Sequence, residues 1–140
     1  MSECEHVKRF GIKAENYFLS LMNAKGVPCV FRDLWYDFQV YDNVLVEVKS
    51  CQLSVADRED KNYRAGRFDF NNKEETRDLL TQHNAWVCLI VRHHDQFLLL
   101  GFVPARALNK KRYLRVHHAR NYKPLDFETW HQQITQEVQA

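Results

Sequence analysis

The chain has 140 residues and a formal net charge of +2, and these values limit what it can be. A chain of this length builds one domain around one hydrophobic core, and such a core needs no disulfide or metal to hold it together. A charge this close to balance does not by itself indicate a nucleic-acid partner. The four cysteines are widely spread with no Cys-X-X-Cys pair, so neither a disulfide framework nor a zinc site is expected.

The sequence contains no segment that predicts targeting or membrane insertion. Residues 1–5 are polar and acidic, and no run approaches the ~20 apolar residues that a membrane-spanning helix needs. The chain has four glycines, and they form no glycine-rich phosphate-binding loop. We therefore expect a cytoplasmic protein that works without a membrane and without a nucleotide cofactor.

The hydrophobic spacing predicts elements in the order α-β-β-β-α-β-β-α, an α/β fold with a mixed sheet flanked by helices. Helices are predicted over residues 4–25, 73–83 and 126–138, and strands over 27–32, 36–41, 44–51, 85–91 and 97–103. A short helix over 104–108 and a last edge strand over 112–117 complete the order.

One charged segment interrupts this pattern. Residues 52–65 lose the apolar periodicity, and we expect a mobile loop there that closes on a ligand. The helix that follows is expected to begin with Asn71 or Asn72 as its N-cap.

The third predicted strand carries a carboxylate and an ammonium group on one face. Side chains at i and i+2 of a strand point the same way, so Glu47 and Lys49 share a face while Val46 and Val48 pack on the other. The apolar residues around them are typical of a central strand. Charged groups in a central strand suggest a functional role.

A divalent cation would give these residues a chemical purpose. Mg²⁺ binds oxygen ligands and usually takes one or two carboxylates, which Asp37 and Glu47 can supply. The cation would polarise a phosphate and acidify a water, and Lys49 would hold or deprotonate that water and offset negative charge in the transition state. This set of residues predicts phosphodiester hydrolysis.

The hairpin register decides whether Asp37 and Glu47 can meet. A two-residue turn at Asp42-Asn43 would place them on opposite faces of the sheet. A three-residue loop over residues 41–43, with Asn43 in a left-handed conformation, pairs Val40 with Val44 and therefore Asp37 with Glu47. We predict the longer loop.

These residues resemble the PD-(D/E)XK nuclease superfamily, which has the restriction-endonuclease-like fold, and in particular archaeal Holliday junction resolvases and related small nucleases. That family places a Glu on an N-terminal helix, an Asp on a strand and Glu-X-Lys on the next strand. Here Gly11-Ile12-Lys13-Ala14-Glu15, Asp37 and Glu47-Val48-Lys49 follow in that order. The chain departs from the family pattern at Tyr36, where the family has Pro before the Asp.

The resemblance implies one nuclease-like domain over residues 1–140, with its motif core at about 8–104 and a basic C-terminal segment at 105–140. It implies that the Val48 carbonyl joins the metal ligands, that Glu15 supports the metal through water and that Mn²⁺ can replace Mg²⁺. It also implies a homodimer, because cutting two strands needs two sites, and a DNA substrate such as a four-way junction.

Positive charge is concentrated late in the chain and predicts contacts with the phosphate backbone. Residues 106–123 carry seven Lys or Arg and no acidic residue. The arginine that we expect to clamp a phosphate is Arg67. The remaining residues expected to bind DNA are Lys13, Tyr63, Arg64, Lys110, Lys111, Arg112 and Arg115.

Several alternatives stay open at this stage. The charged residues of the hairpin can be a solvated surface with a weak cross-strand salt bridge, and the basic block can be a solvated face. The fold can also serve as a nucleic-acid-binding module that does not cut, or as a subunit whose activity needs a partner. A restriction-type or repair nuclease that acts on duplex DNA would carry the same motif.

Overall fold

The computed structural model describes residues 3–56, 63–70 and 73–139. Its centre is a five-stranded mixed sheet in the order β1-β2-β3-β7-β8. These strands are β1 Cys29–Phe31, β2 Phe38–Val40, β3 Val44–Gln52, β7 Trp86–His93 and β8 Gln96–Pro104, and the helices are α1 Glu3–Ala24, α2 Glu74–Gln82, α3 Ala105–Leu108 and α4 Phe127–Gln139. The predicted α/β fold with a mixed sheet flanked by helices is confirmed.

Strand β3 lies in the middle of the sheet, as its apolar pattern predicts. It pairs antiparallel with β2 and parallel with β7. A strand buried on both sides explains the apolar run in its sequence. Among the described residues, no helix has the length and apolar character that crossing a membrane requires.

Two apolar clusters cover the two faces of the sheet. On one face Val44 and Val46 of β3 pack with Phe18 of α1 and Trp130 of α4. On the other face Leu80 of α2 belongs to a second cluster, together with residues of β7 and α3. Because side chains alternate along β3, Glu47 and Lys49 point toward the second cluster.

The hairpin between β2 and β3 has the predicted register. Val40 pairs with Val44 and Phe38 with Val46, so the connection is the three-residue loop 41–43. The left-handed residue in this loop is Tyr41, with φ 52°, and the expectation for Asn43 is wrong. Burial explains this strained position, because Tyr41 packs against the first cluster and its hydroxyl lies 2.6 Å from Nε2 of His131 on α4.

The segment expected to be a mobile loop contains two strands. Strands β4 Ser54–Ala56 and β5 Tyr63–Ala65 pair antiparallel, so the ends of this segment form a hairpin. The middle of the expected loop, residues 57–62, lies outside the described residues, and so do the two asparagines proposed as N-caps. The residue that precedes α2 is Lys73, and it makes no side-chain capping hydrogen bond.

The last predicted strand is shorter than expected and has a different partner. Strand β9, Tyr113–Arg115, pairs antiparallel with β6, Arg67–Asp69, in a separate two-stranded ribbon and is not an edge strand of the main sheet. A 3₁₀ helix, Val116–Tyr122, follows it. The edge of β8 is covered instead by Leu125, which exchanges two backbone hydrogen bonds with Phe102.

A glycine permits this coverage of β8. Gly101 has φ 147°, and a Cβ atom there would lie 2.5 Å from Cβ of Pro124. Only glycine allows the backbone of residues 124 and 125 to approach so closely. The approach holds α4 against the sheet face that also carries α1.

Candidate active site

Asp37 lies where β2 stops pairing with β3, and its carboxylate continues the contact between the two strands. The backbone N–H of Asp37 donates to the Val46 carbonyl at 3.2 Å, and the backbone N–H of Val48 donates to Oδ2 of Asp37 at 2.8 Å. A charge-assisted hydrogen bond of this kind fixes the carboxylate at the edge of β3. The aspartate therefore lies beside the Glu47-Val48-Lys49 segment.

Glu47 is buried in the middle of the sheet. It is 6% exposed, and it is the one buried charged side chain in the part of the chain that the structure describes. A small cavity next to it is lined by Lys49 and by Arg77 of α2, together with apolar residues of the second cluster. Burying a carboxylate is costly, so its position argues against a simple solvated surface hairpin.

Helix α1 brings a second carboxylate to Asp37. Glu15 is half-buried, and burial together with the negative charges of Asp37 and Asp33 raises the pKa of Glu15 from 4.5 to about 7. Each neighbouring negative charge disfavours the ionised form. We call Glu15, Asp33 and Asp37 the carboxylate cluster. Its electrostatic repulsion would be relieved by a cation.

A cleft of about 690 Å³ begins at the same segment of β3. We call it the basic cleft, because its lining includes four cationic side chains and one carboxylate, namely Lys49, Arg67, Arg92, Arg115 and Asp69. Positive charge that lines a concave surface attracts phosphate groups. The cleft therefore provides room and charge for a polyanion next to the carboxylate cluster.

Two of these arginines come from the β6–β9 ribbon. Arg67 and Arg115 lie opposite each other across the two strands. Arg115 donates from a terminal nitrogen to the Ala65 carbonyl at 3.0 Å, and Nε of Arg67 lies 3.1 Å from Oδ1 of Asp69. These contacts hold both guanidinium groups at the wall of the cleft.

A close backbone contact places the ribbon against β3. A Cβ atom at Gly66 would lie 1.6 Å from the carbonyl oxygen of Gln52, so a larger residue would force the two segments apart. The Gly66 N–H donates to the Leu53 carbonyl at 3.1 Å, and the Val116 N–H donates to the Gly66 carbonyl at 2.9 Å. Gly66 thus joins the end of β3 to the ribbon.

The other residues predicted to bind DNA are more scattered. Lys13 is exposed on α1, and Lys110, Lys111 and Arg112 are exposed between α3 and β9. These four do not belong to the lining of the basic cleft. Tyr63 and Arg64 lie on β5, but their side chains are outside the described part of the structure.

The sequence analysis missed two cationic residues near Glu47 and Lys49. Arg92 pairs with Gln52 across β3 and β7, and it lines the basic cleft from the far end of β7. Arg77 donates to the carbonyl of Asn109 at 3.1 Å and so ties α2 to the end of α3. Arg92 could have been predicted from the sequence, because it directly follows the apolar run of residues 85–91. The position of Arg77 could not, because it depends on tertiary packing.

The donor set suits a hard cation that keeps several waters. Within the described residues, no group of three or more His, Cys, Asp or Glu side chains is arranged to hold a metal ion. A fully protein-built cage, such as a structural zinc site, is therefore absent from that part of the chain. Mg²⁺ sites commonly use one or two carboxylates with waters and substrate oxygens, and Asp37 and Glu47 could supply two carboxylates.

The comparisons with known proteins agree with this geometry. A family model described as a PD-(D/E)XK nuclease superfamily domain matches residues 1–135. Searches of curated proteins and of solved structures gave no match. The family match spans the carboxylate cluster, the Glu47-Val48-Lys49 strand and the ribbon. The chain belongs to the PD-(D/E)XK nuclease superfamily.

Proposed function

We propose that this protein is a metal-dependent DNA endonuclease whose catalytic residues are Asp37, Glu47, Lys49 and Glu15. The observation that carries the proposal is the hydrogen bond from the Val48 N–H to the Asp37 carboxylate, because it joins the aspartate to the Glu-X-Lys strand. Membership of a nuclease superfamily supports hydrolysis as the reaction. The basic cleft beside these residues supports a nucleic acid as the substrate.

The residues fit a divalent cation, with Mg²⁺ as the expected ion and Mn²⁺ as its substitute. Asp37 and Glu47 would hold it with their carboxylates. The Val48 carbonyl is a suitable third ligand, because the N–H and C=O of one strand residue point to the same side and the Val48 N–H points at Asp37. The raised pKa of Glu15 supports this fit, because burial is its largest cause and the negative charges of Asp37 and Asp33, which a cation would offset, raise it further.

When bound, the cation would polarise the scissile phosphate and make a water more acidic. Lys49 would orient the attacking water, accept its proton when neutral or offset charge on the phosphate when protonated. Glu15 would accept a hydrogen bond from a water near Asp37. Arg67, Arg92 and Arg115 would hold the flanking phosphates in the basic cleft.

The nature of the DNA is a finer part of the proposal. The resemblance to archaeal Holliday junction resolvases supports a branched substrate such as a four-way junction. Cleavage of two strands requires two catalytic centres, which supports a homodimer. Lys13, Lys110, Lys111 and Arg112 would then contact the backbone outside the basic cleft, with Tyr63 and Arg64 from β5.

A second candidate is a nucleic-acid-binding module without hydrolytic activity, or a subunit that needs a partner to cut. The basic cleft favours this candidate as much as the first, because its cations would bind phosphates with or without cleavage. A duplex-cutting restriction or repair nuclease is a variant of the main proposal.

The test is a cleavage assay with a panel of labelled DNAs. Wild type and Lys49→Ala are incubated with Mg²⁺ and with a four-way junction, a flap, a plain duplex and a single strand, and the cut positions are read on a gel. Lys25→Ala is the charge-matched control, because Lys25 directly follows α1, does not line the basic cleft, and places its Nζ 3.3 Å from Oε1 of the exposed Glu128.

We expect wild type and Lys25→Ala to cut and Lys49→Ala to lose cleavage. The preferred DNA in the panel then identifies the substrate class. Binding of DNA without cleavage by any of the three proteins would contradict the nuclease proposal and favour the binding module. Equal cleavage by all three would show that Lys49 has no catalytic role.

A further inference from the structure

The outer face of the β6–β9 ribbon carries an aromatic ring that the proposed chemistry does not use. Phe68 and Leu114 lie opposite each other in the ribbon and are both buried in the second cluster. Alternation therefore places the neighbouring side chains on the opposite, solvent-facing side. These are Arg67, Asp69, Tyr113 and Arg115, and three of the four line the basic cleft.

Tyr113 is held on this face by the two arginines of the cleft. The guanidinium carbon of Arg67 lies 5.2 Å from the centre of the Tyr113 ring, and that of Arg115 lies 5.9 Å from it. Both distances are within the range of cation–π attraction. The two contacts orient the ring beside the cationic groups that would bind phosphates.

The ring remains accessible despite these contacts. Tyr113 is 50% exposed, and the core side of the ribbon is already filled by Phe68 and Leu114. The exposure of Tyr113 therefore has no explanation in core packing. A flat, half-exposed ring beside guanidinium groups can stack a nucleobase while the cations hold its phosphates.

We propose that Tyr113 is a stacking platform for one unpaired base, and that the protein therefore prefers DNA with an unpaired nucleotide over continuous duplex. In a duplex each base is covered by its neighbours and paired across the helix, so a base must leave that stack to reach the ring. Flaps and gaps supply such bases at little cost. The inference rests on the proposed DNA substrate, but it does not require that the DNA be cut.

The test measures binding in a background that does not cleave and keeps the charge of the cleft. In Asp37→Asn, Tyr113 is changed to Leu, which removes the aromatic ring, or to Phe, which keeps it. Leu98→Ala is the matched control, because Leu98 is 52% exposed on β8 and is not among the residues lining the cleft. The probes are a duplex with a one-nucleotide gap that exposes 2-aminopurine and the same duplex without the gap.

We expect Tyr113→Leu to weaken binding of the gapped probe by roughly 5- to 100-fold, as for loss of one stacked base, and binding of the intact duplex by less than about twofold. Tyr113→Phe and Leu98→Ala should bind both probes as the parent does. The parent should also quench the 2-aminopurine fluorescence, and Tyr113→Leu should not.

Equal loss on both probes would overturn the inference, because it would indicate a general contact or a misfolded ribbon. No quenching by the parent would overturn it without reference to any Tyr113 variant. These results are separate from the cleavage assay. Quenching without cleavage by wild type would support the stacking site and contradict the proposed nuclease. Cleavage without quenching would support the nuclease and contradict the stacking site.

Discussion

Charges of opposite sign gather on two different sides of strand β3. Where β3 meets β2 and α1, the carboxylate cluster forms around Asp37, and burial together with the negative charges of Asp37 and Asp33 raises the pKa of Glu15 to about 7. Where β3 continues toward β7 and the ribbon, the basic cleft collects Lys49, Arg92 and two further arginines. This separation fits the proposed function, in which a cation would bind on one side of β3 and phosphates on the other.

The largest effect on the cleavage rate should come from a substitution of Lys49, which lies between the two regions. Lys49→Ala should lower the cleavage rate by at least about 100-fold, because it removes the group that we propose stabilises charge at the reacting phosphate. Single-turnover cleavage with excess enzyme measures the chemical step. Lys25→Ala should change the cleavage rate by less than about twofold, because an exposed salt bridge contributes little to the stability of the fold.

On the acidic side, two substitutions of Asp37 distinguish an effect on cleavage from an effect on the stability of the fold. Asp37→Asn keeps an oxygen that accepts from the Val48 N–H, whereas Asp37→Ala leaves that N–H without its 2.8 Å partner. Both should lower the cleavage rate, by no more than Lys49→Ala does, but only Asp37→Ala should also lower the free energy of unfolding, by about 1 kcal/mol. Urea unfolding measures the difference. Full cleavage by Asp37→Asn would contradict a metal-binding role for the carboxylate.

On the basic side, Arg115→Ala should weaken DNA binding by roughly 10-fold and lower the slope of log K against log salt by about 1, because one phosphate contact is lost. Fluorescence anisotropy at several salt concentrations measures both quantities. Arg106→Ala is the matched control, since Arg106 is exposed on α3 and is not among the residues lining the cleft. An unchanged slope for Arg115→Ala would show that this arginine touches no phosphate.

The acidic side should also make stability depend on pH. The folded protein holds the Glu15 proton up to about pH 7, whereas the unfolded chain releases it near 4.5. The unfolded state therefore binds fewer protons between these values, and stability should fall as pH rises from about 4.5 to about 7. Urea unfolding across this range measures the fall.

Glu15→Gln is the matched variant for this pH dependence and should remove its part of the fall. Mg²⁺ should reduce the fall in wild type, because a cation near Asp37 favours ionised Glu15. Identical pH profiles for wild type and Glu15→Gln would contradict the raised pKa. If Mg²⁺ does not change the dependence of wild-type stability on pH, the result would contradict a cation site at Asp37.

Asp69→Asn should have the smallest effect on DNA binding, and it should tighten binding, whereas Arg115→Ala should weaken it. Asp69→Asn removes the carboxylate that pairs with Arg67 at 3.1 Å in the cleft wall. The freed guanidinium should tighten DNA binding by roughly two- to threefold at low salt, and the gain should fade as salt screens it. Stability should change by less than about 1 kcal/mol, because both partners are exposed. Weaker binding by Asp69→Asn would indicate that Asp69 positions Arg67.

Local pattern was sufficient to predict the hairpin and strand that carry Asp37, Glu47 and Lys49. The alternation of Glu47 and Lys49, the apolar strand around them and the three-residue loop after Val40 are properties of neighbouring residues, and the structure has each of them. The position of the left-handed residue was missed, because the burial of Tyr41 against α4 decides it and that contact is distant in sequence.

Contacts between residues distant in sequence position most of the basic cleft, so fewer of its residues could be predicted from the sequence. The exposed residues between α3 and β9 carry three of the seven cations of the basic block, yet Arg115 alone of the predicted C-terminal cations lines the cleft. The ribbon that positions it depends on pairing between β6 and β9, which are more than forty residues apart. Arg92 enters the cleft only because β7 lies parallel to β3.

The central claim is that the two sides of β3 bind different partners, and one paired measurement tests it most directly. Mn²⁺ binding is measured by electron paramagnetic resonance, and binding of a labelled four-way junction by anisotropy, for wild type, Asp37→Asn and Arg115→Ala. The account predicts that Asp37→Asn loses the cation and keeps the DNA, whereas Arg115→Ala keeps the cation and loses affinity for the DNA. Loss of both by both variants, or retention of the cation by Asp37→Asn, would contradict it.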